Sequence, residues 1–421
     1  MKYQDVILYI EKEINEGRLV AGSKLPSIRI LAHDLACSKS TIAKAYEVLV
    51  DHKLAYVIDK TGFYLMQDPE HRLISKQIDL GLNKAYQLLD KRDIRIMINN
   101  GLNDYDSFNQ DIEGYHPLRV NLRRYFKMRK MFASVHDTIM IPSLNQAVMA
   151  TTSLSLFDNI LIENPTDKAV AEQVRKKKNI FTFDRLNLDW DLIELKIKQE
   201  KIKLLLITPH VHIPTTHSLD LEEKQRLLNI CQRHGVYILE INHYEDLFDY
   251  PESQSLFALD KHELVIHVKT FNHVFSSLIE DVVLISPKRI SDPIKLFKRK
   301  YIGQDSIFNQ LLLNEILKEY DIKPNIKLFS SKFAIIESYL KTLPFTVRYA
   351  DTHNFAFIEV PFHYNLETIL VELEHKNIYL ESIKEYFVNS HGIKGILIAV
   401  NDIDNNLLHD TLQMIVEKFA L

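Results

Sequence analysis

The chain is poor in the features that would narrow its class at once. Among 421 residues there are two cysteines, Cys37 and Cys231, in separate apolar segments. Two such residues give no disulfide framework and suit a reducing cytoplasm. Neither a signal-peptide pattern nor an apolar run long enough to cross a bilayer is present, so a cytoplasmic location with no membrane partner is expected. Internal repeats and low-complexity tracts are also missing, which argues against a repeat array or a disordered chain. There is no excess of positive charge. Lys plus Arg is 52 and Asp plus Glu is 56, a formal net charge of −4. Any surface for a polyanion must then be a local cluster, not a basic domain.

What remains is the composition of a globular protein, 46% hydrophobic and 26% charged, long enough for two or three domains. The most informative stretch is Lys24 to Leu49. Ser27 follows Pro26 and suits a helix cap, and Ile28, Leu31, Ala32 and Leu35 recur at helical spacing. Ile28 to Ala36 therefore reads as a helix, closed by a turn at Cys37. Ser38 caps a second helix whose apolar positions are Ile42, Ala43, Tyr46, Val48 and Leu49. Its first turn carries Lys39, Ser40 and Thr41, with Lys44 one turn on. Two helices joined by a tight turn, the second opening with hydroxyls and cations, make a helix-turn-helix pattern. There the start of the second helix meets base edges and phosphates in the major groove.

The flanks complete a winged module. Tyr3 to Glu16 is amphipathic. Ala55 to Ile58 and Phe63 to Met66 are β-rich runs joined by Asp59-Lys60-Thr61-Gly62, a turn that fits a wing held against phosphate. Met1 to Met66 holds nine Lys and Arg against eight Asp and Glu, a net of +1, so the phosphate-facing charge must lie on one face. An ordinary helical domain with a hairpin is the blander alternative.

Asp68-Pro69-Glu70-His71-Arg72 marks a polar boundary. The expected organisation is a DNA-binding domain over 1–67, a connection over 68–88 and a body over 89–421, with a smaller subdomain from about 320. In the body, short apolar runs such as Lys203 to Thr208, Val236 to Glu240 and Val265 to Val268 alternate with amphipathic segments such as Leu221 to His234. That alternation predicts an α/β domain with a mostly parallel sheet. Phe355 to Val360, Gly395 to Val400 and a helix from about Leu407 to Phe419 predict a small α+β domain after a long helix near 305–341.

Both halves, in this order, resemble the MocR branch of the GntR transcriptional regulators, which join a winged helix-turn-helix to a fold-type I aminotransferase-like domain. Leu25-Pro26-Ser27-x-Arg29-x-Leu31-Ala32 and Ser38-Lys39-x-Thr41-x-x-x-Ala45-Tyr46-x-x-Leu49 follow the GntR pattern, with Lys39 where Arg is usual. The resemblance implies DNA contacts at Ser27, Arg29, Lys39, Ser40, Thr41 and Lys44, and at Lys60, Thr61 and Gly62 in the wing. In the body, Gly114 to Arg119, Asn145-Gln146-Ala147, Glu163-Asn164-Pro165, Thr208-Pro209 with Pro214-Thr215, and Thr270-Phe271 resemble the family's scaffold motifs.

The family's chemistry positions do not match. A Schiff base with pyridoxal phosphate needs a Lys, and Thr270-Phe271-Asn272-His273 puts His273 there. The Asp that would partner the ring nitrogen falls on Ile241, or on Asn242 if the register slips by one. The phosphate-gripping Arg falls on Glu280, next to Asp281, a charge reversal that repels a phosphate dianion. The phosphate-loop Gly is Ser143, the ring-stacking aromatic is Asp167, and the substrate-carboxylate Arg falls on Gly395 beside Lys394.

The expected protein is a DNA-binding regulator with a body that has lost pyridoxal phosphate, is not an enzyme, and dimerises to place two heads on an operator. His212, His243, Tyr244, His273 and Glu280 are the candidates for an effector cleft, with His210 nearby in the family's frame. Four histidines at one cleft would suit a metal, but 18 histidines are spread over the chain and no metal is assigned. Glu280, with Tyr244 and Phe271, would suit a cationic ligand, and Glu280-Asp281 would equally suit a solvated loop. The rival readings are a pyridoxal-phosphate enzyme fused to a regulator, and a regulator whose body is only a dimerisation scaffold.

Overall fold

The computed structural model describes residues 2–15, 18–20, 22–51, 54–58, 61–65, 78–82, 89, 91–103, 111–247, 254–319, 326–389, 393–401 and 403–420. The chain divides into two compact units, Met1–Gln77 and Ile78–Leu421.

The first unit holds helices α1 (Tyr3–Asn15), α2 (Ile28–Asp34) and α3 (Lys39–Asp51) and the antiparallel hairpin β1 (Ala55–Ile58) and β2 (Gly62–Leu65). Ser27 caps α2 by accepting from Ile30 N–H at 3.3 Å. That helix stops at Asp34, two residues short of the expected Ala36, because Ala36 turns to a left-handed φ of 47°. The turn is thus made by the backbone at Ala36 ahead of Cys37. Val6, Leu31, Ile42, Tyr46 and Leu65 meet in one core. Tyr46 is wholly buried, and it joins the module twice. Its hydroxyl donates to Pro26 O at 2.7 Å, and its ring meets Phe63 of the hairpin edge-on at 4.9 Å.

The second unit opens with β3 (Ile78–Asp79), α4 (Lys91–Asn103), α5 (His116–Met128), β4 (Thr138–Ile141) and α6 (Leu144–Thr152). It continues through β5 (Ile160–Asn164), α7 (Lys168–Val174), β6 (Ile180–Asp184), α8 (Trp190–Gln199), β7 (Leu204–Ile207) and α9 (Leu221–His234). Next come β8 (Tyr237–Asn242), α10 (Leu256–Leu259), β9 (Val265–Lys269), β10 (Val282–Ile285) and α11 (Lys288–Phe297). Two helices, α12 (Ile307–Glu319) and α13 (Ile326–Leu340), stand where one long helix was expected. The last part holds β11 (Thr346–Tyr349), β12 (Phe355–Val360), α14 (Leu366–Glu374), β13 (Ile378–Tyr379), β14 (Glu381–Ser382), β15 (Lys394–Ala399) and α15 (Asn405–Ala420).

Seven strands form the main sheet in the order β4-β10-β9-β8-β7-β5-β6, and β10 alone runs against its neighbours. A parallel sheet is covered on both faces, which is why its strands read as unbroken apolar runs. Ile162, Leu206, Leu239, Ile241 and Ile266 pack on one face. Leu161, Leu205, Ile207, Ile238 and Val265 pack on the other. Helix α9 matches its expected span, from a capping box of Asp220 and Glu223 to Gly235 at φ 62°. The smaller sheet, β11-β12-β15-β14, is antiparallel. Within the expected 68–88 connection, Ile78–Asp79 pairs in parallel with Ile378–Tyr379 and is part of the second unit. Among the described residues no helix is long and apolar enough to cross a membrane.

Candidate functional site

In the first unit, the start of α3 gathers the polar residues singled out from the sequence. Ser38 Oγ accepts from Thr41 N–H at 3.1 Å, and it lies 2.8 Å from Ser40 Oγ and 2.7 Å from Thr41 Oγ1. This knot fixes the first turn and holds its hydroxyls outward. Lys39, Ser40 and Lys44 are exposed, as are Ser27 and Arg29 on the neighbouring helix. Ser40, Thr41 and Lys44 share a surface hollow with Lys2 and Tyr3, two residues that the sequence pattern did not single out. In the hairpin, Thr61 is exposed, and Gly62 has φ 127°, a left-handed value that suits glycine. Lys60 lies outside the described residues.

The second unit has a cleft of about 350 Å³ where the carboxyl ends of β5, β8 and β9 face the start of α6. Open α/β sheets bind ligands at the carboxyl ends of their strands. Five expected positions line it: Ser143, Asp167, His243, His273 and Glu280. Ser143 caps α6 by accepting from Gln146 N–H at 3.3 Å. Asp167 caps α7, its Oδ1 accepting from Ala169 and Val170 N–H at 2.8 and 3.3 Å. Burial raises the Asp167 carboxyl above its usual pKa, against the pull of His273 and of these N–H groups.

The two histidines meet edge to face at 5.0 Å. His243 is wholly buried and its Nδ1 lies 3.0 Å from Thr270 Oγ1. Loss of hydration, with the Lys269 ammonium and His212 close by, holds its pKa down to about 3. His273 is half-buried, and burial and His243 lower its pKa too. Both rings are thus neutral near pH 7.

Other expected cleft residues lie elsewhere. Ile241 points into the apolar core of the sheet, because its parity on β8 matches Leu239. Asn242 exchanges bonds with Glu245, donating to Oε2 at 3.1 Å and accepting Glu245 N–H at 3.2 Å. Neither occupies the ring-partner position at the cleft, and the residue of that strand end which lines it is His243. Gly395 lies inside β15, paired with Glu359. A Cβ there would sit 2.4 Å from Ile358 O, so no arginine fits at that position.

His212 and Tyr244 are buried and do not line the cleft. His212 Nδ1 is 2.8 Å from Thr215 Oγ1, and its Nε2 is 3.3 Å from Glu163 Oε1. Glu163 also accepts Thr208 N–H at 2.8 Å and faces Arg185 Nε at 3.2 Å, so two scaffold motifs and Arg185 close on one carboxylate. Tyr244 stands behind His273, ring to ring at 5.5 Å. His210 is remote from the cleft wall, with Lys224 Nζ at 2.9 Å from its Nε2. Phe271 is buried beside Tyr125.

Sequence reasoning missed several lining residues. Asn145 and Thr270 belong to motifs it had read as scaffold, while Lys168, Glu172, Glu381 and Tyr386 carried no signal. Lys168 is the lysine of the lining, and its ammonium binds the Glu385 carboxylate. Lys269, four residues before His273, points away, with Nζ 2.7 Å from Asp246 Oδ2. Among the described residues no group of three His, Cys, Asp or Glu side chains is placed to hold a metal ion.

Residues 2–65 match the bacterial regulatory proteins of the gntR family, so the first unit carries a GntR helix-turn-helix. The chain is 24% identical over 332 residues to the uncharacterised HTH-type transcriptional regulator YcxD of Bacillus subtilis, covering 75% of this chain and 74% of that one. It is 22% identical over 344 residues to the uncharacterised HTH-type transcriptional regulator YjiR of Escherichia coli, covering 71% and 72%. Among solved structures, the α-aminoadipate aminotransferase LysN of Thermus thermophilus superposes with a TM-score of 0.71 at 18% identity, over 83% of this chain and 93% of that one. The fold of the body is therefore that of a fold-type I aminotransferase. The chain is a transcriptional regulator built like the MocR-type GntR proteins, a helix-turn-helix joined to an aminotransferase-like body.

Proposed function

We propose that the protein binds a specific DNA operator through α3 and the hairpin, that its body dimerises and does no pyridoxal phosphate chemistry, and that the cleft answers to a small effector. The observation that supports this reading is the contrast at two sites. The start of α3 keeps its hydroxyls and cations exposed, while the cleft is lined by His273 and Glu280, which the resemblance sets where a Lys and an Arg are usual.

The group that the fold family implies does not fit the residues present. Bound pyridoxal phosphate supplies an electron sink through a Schiff base to lysine. Here the lining lysine, Lys168, is tied to Glu385, and Lys269 is buried against Asp246. The cleft is lined by the carboxylates of Glu280, Asp167 and Glu381, which repel a phosphate dianion. No catalytic step is therefore assigned to this cleft.

Dimerisation is supported by large apolar side chains left exposed on and after α11: Leu296, Tyr301 and Phe308. A two-fold dimer would set two heads on paired half-sites, and an effector that favours one spacing would shift DNA affinity.

Absorbance and borohydride reduction of the full-length protein with excess pyridoxal phosphate test the cofactor claim. The expected result is no aldimine band and no reduced adduct. A reducible band that maps to a lysine of the body would return the protein to the pyridoxal-phosphate class. The reading of the body as a bare scaffold predicts that no small molecule changes DNA affinity, and the same preparation tests it.

A further inference from the structure

A second cavity of the body, about 360 Å³, lies where the end of β6 and the segment before α9 meet β11. Each of those strands is the edge of its sheet. None of the residues that line this cavity lines the cleft.

Part of the lining offers hydrogen-bond donors. Arg185 is buried, and its Nη1 lies 3.0 Å from His217 Nδ1. A guanidinium cannot accept, so Nδ1 accepts and the ring proton of His217 sits on Nε2. Partial burial, then Arg185, lowers the pKa of His217, so the ring is neutral near pH 7. The ring stands exposed, and Nε2–H has no partner among the described residues. Ser218 Oγ accepts Val211 N–H at 3.0 Å, which leaves its own proton to donate. Arg348, on β11, keeps 36% of its side chain exposed. Its guanidinium makes no hydrogen bond among the described residues, and Glu359 is 3.8 Å away.

The other polar groups are acceptors. Asp351 is exposed, and its carboxylate has no hydrogen bond or ion pair among the described residues. It stands near enough to His217 to act on the charge of that ring. Glu223 uses one oxygen to accept Asp220 N–H at 3.0 Å. Leu186, Leu188 and Tyr349 are half-buried and supply apolar surface.

The segment that carries His217 and Ser218 is strained. Val211 and Thr216 have φ of 43° and 67°, left-handed values that β-branched residues avoid. Strain of this kind persists where surrounding contacts hold it, and it collects at ligand-binding segments.

An anion in this cavity meets Asp351 and Glu223, and a cation meets Arg348 and Arg185. A molecule with both charges finds a partner for each. We infer that the cavity binds a free amino acid with an apolar side chain, its carboxylate held by Arg348 and His217 Nε2–H and its ammonium by Asp351. This site is separate from the cleft and does not rest on the effector reading above.

Titration calorimetry of the full-length protein tests it with L-phenylalanine and L-valine. Each is compared with two analogues that lack one charge: hydrocinnamate and phenethylamine for the first, isovalerate and isobutylamine for the second. At least one amino acid is expected to bind at roughly millimolar Kd or tighter, and both its analogues about tenfold more weakly or worse. Asp351→Asn and Arg348→Gln are each expected to weaken that amino acid about tenfold. Neither residue lines the cleft, so a loss of affinity in these variants assigns the ligand to this cavity. If Arg348→Gln melts below the wild type, Asp351→Asn, at an exposed position, decides alone. The inference falls if neither amino acid binds, if an analogue lacking one charge binds as tightly, or if the variants bind the amino acid as the wild type does. The last result would place the ligand elsewhere, and none of the three touches the reading of the cleft.

Discussion

The start of α3 and the cleft at the ends of β5, β8 and β9 hold similar residue types in opposite environments. In the first unit Lys39, Ser40 and Lys44 stand exposed, and their order comes from hydroxyls three residues apart. In the second, His243 and Asp167 are buried and take their geometry from strand ends and a helix cap. A surface made by one helical turn can be read along the chain. A cleft lined by segments scattered from Leu82 to Tyr386 cannot. The difference also bears on function: solvated cations suit a polyanion that brings its own counterions, whereas buried neutral imidazoles suit a small ligand that replaces water.

The largest expected effect comes from breaking the first unit alone. Tyr46→Ala removes the ring against Phe63 and the bond to Pro26 O, and is expected to cost about 3–5 kcal/mol. DNA binding should be lost while the melting of the larger unit is kept. One cooperative transition that shifts as a whole would show that the two units do not unfold separately.

A smaller effect sharpens the comparison from the side of the body. Asp281, next to Glu280, is buried, and burial first, then Asp305, pushes its pKa up to about 7. Its ordinary value in the unfolded chain is 3.8. The folded state therefore holds a proton that the unfolded state has lost between those values, and stability falls as pH rises through that window. Asp281→Asn is expected to be more stable than the wild type at pH 8 by about 1–3 kcal/mol, with the gap closing toward pH 4. Denaturant curves at both pH values check it; a gap that grows on acidification would reverse the sign.

The smallest is at the surface. Lys39→Ala is expected to weaken operator binding by about 1 kcal/mol and to lower the salt slope by about one ion. An unchanged slope, measured by fluorescence anisotropy at several salt concentrations, would remove Lys39 from the phosphate or base contacts.

Legibility followed the range of the interactions. Helix α9 was readable from end to end, because Asp220, Glu223 and Gly235 act on backbone within a few residues. The strands of the parallel sheet were readable as apolar runs because both faces are covered. Strand β6 was missed: Ile180, Phe181 and Thr182 are half-buried at the sheet edge and Phe183 alone packs fully, so its pattern is weak. The cleft was half readable. His273 and Glu280 were placed by spacing from Thr270, and they do line it. Ile241 was misplaced because a position in a motif says nothing of which face of β8 it takes. Glu381 and Tyr386 were missed because the rest of the lining comes from Val282 and earlier in the chain.

The caps, the helix-turn-helix spacing and the covered sheet were legible in the residues alone, as were the His and the Glu where the resemblance sets a Lys and an Arg. These follow from local hydrogen bonds, side-chain periodicity and residue identity. Tertiary packing settled that His243 and not Ile241 lines the cleft, that Gly395 is a close contact inside a sheet, and that Asp167 Oδ2 stands 3.8 Å from His243 Nε2. Those are matters of which strand faces what at long range, and the free energy of burial, not local preference, sets them.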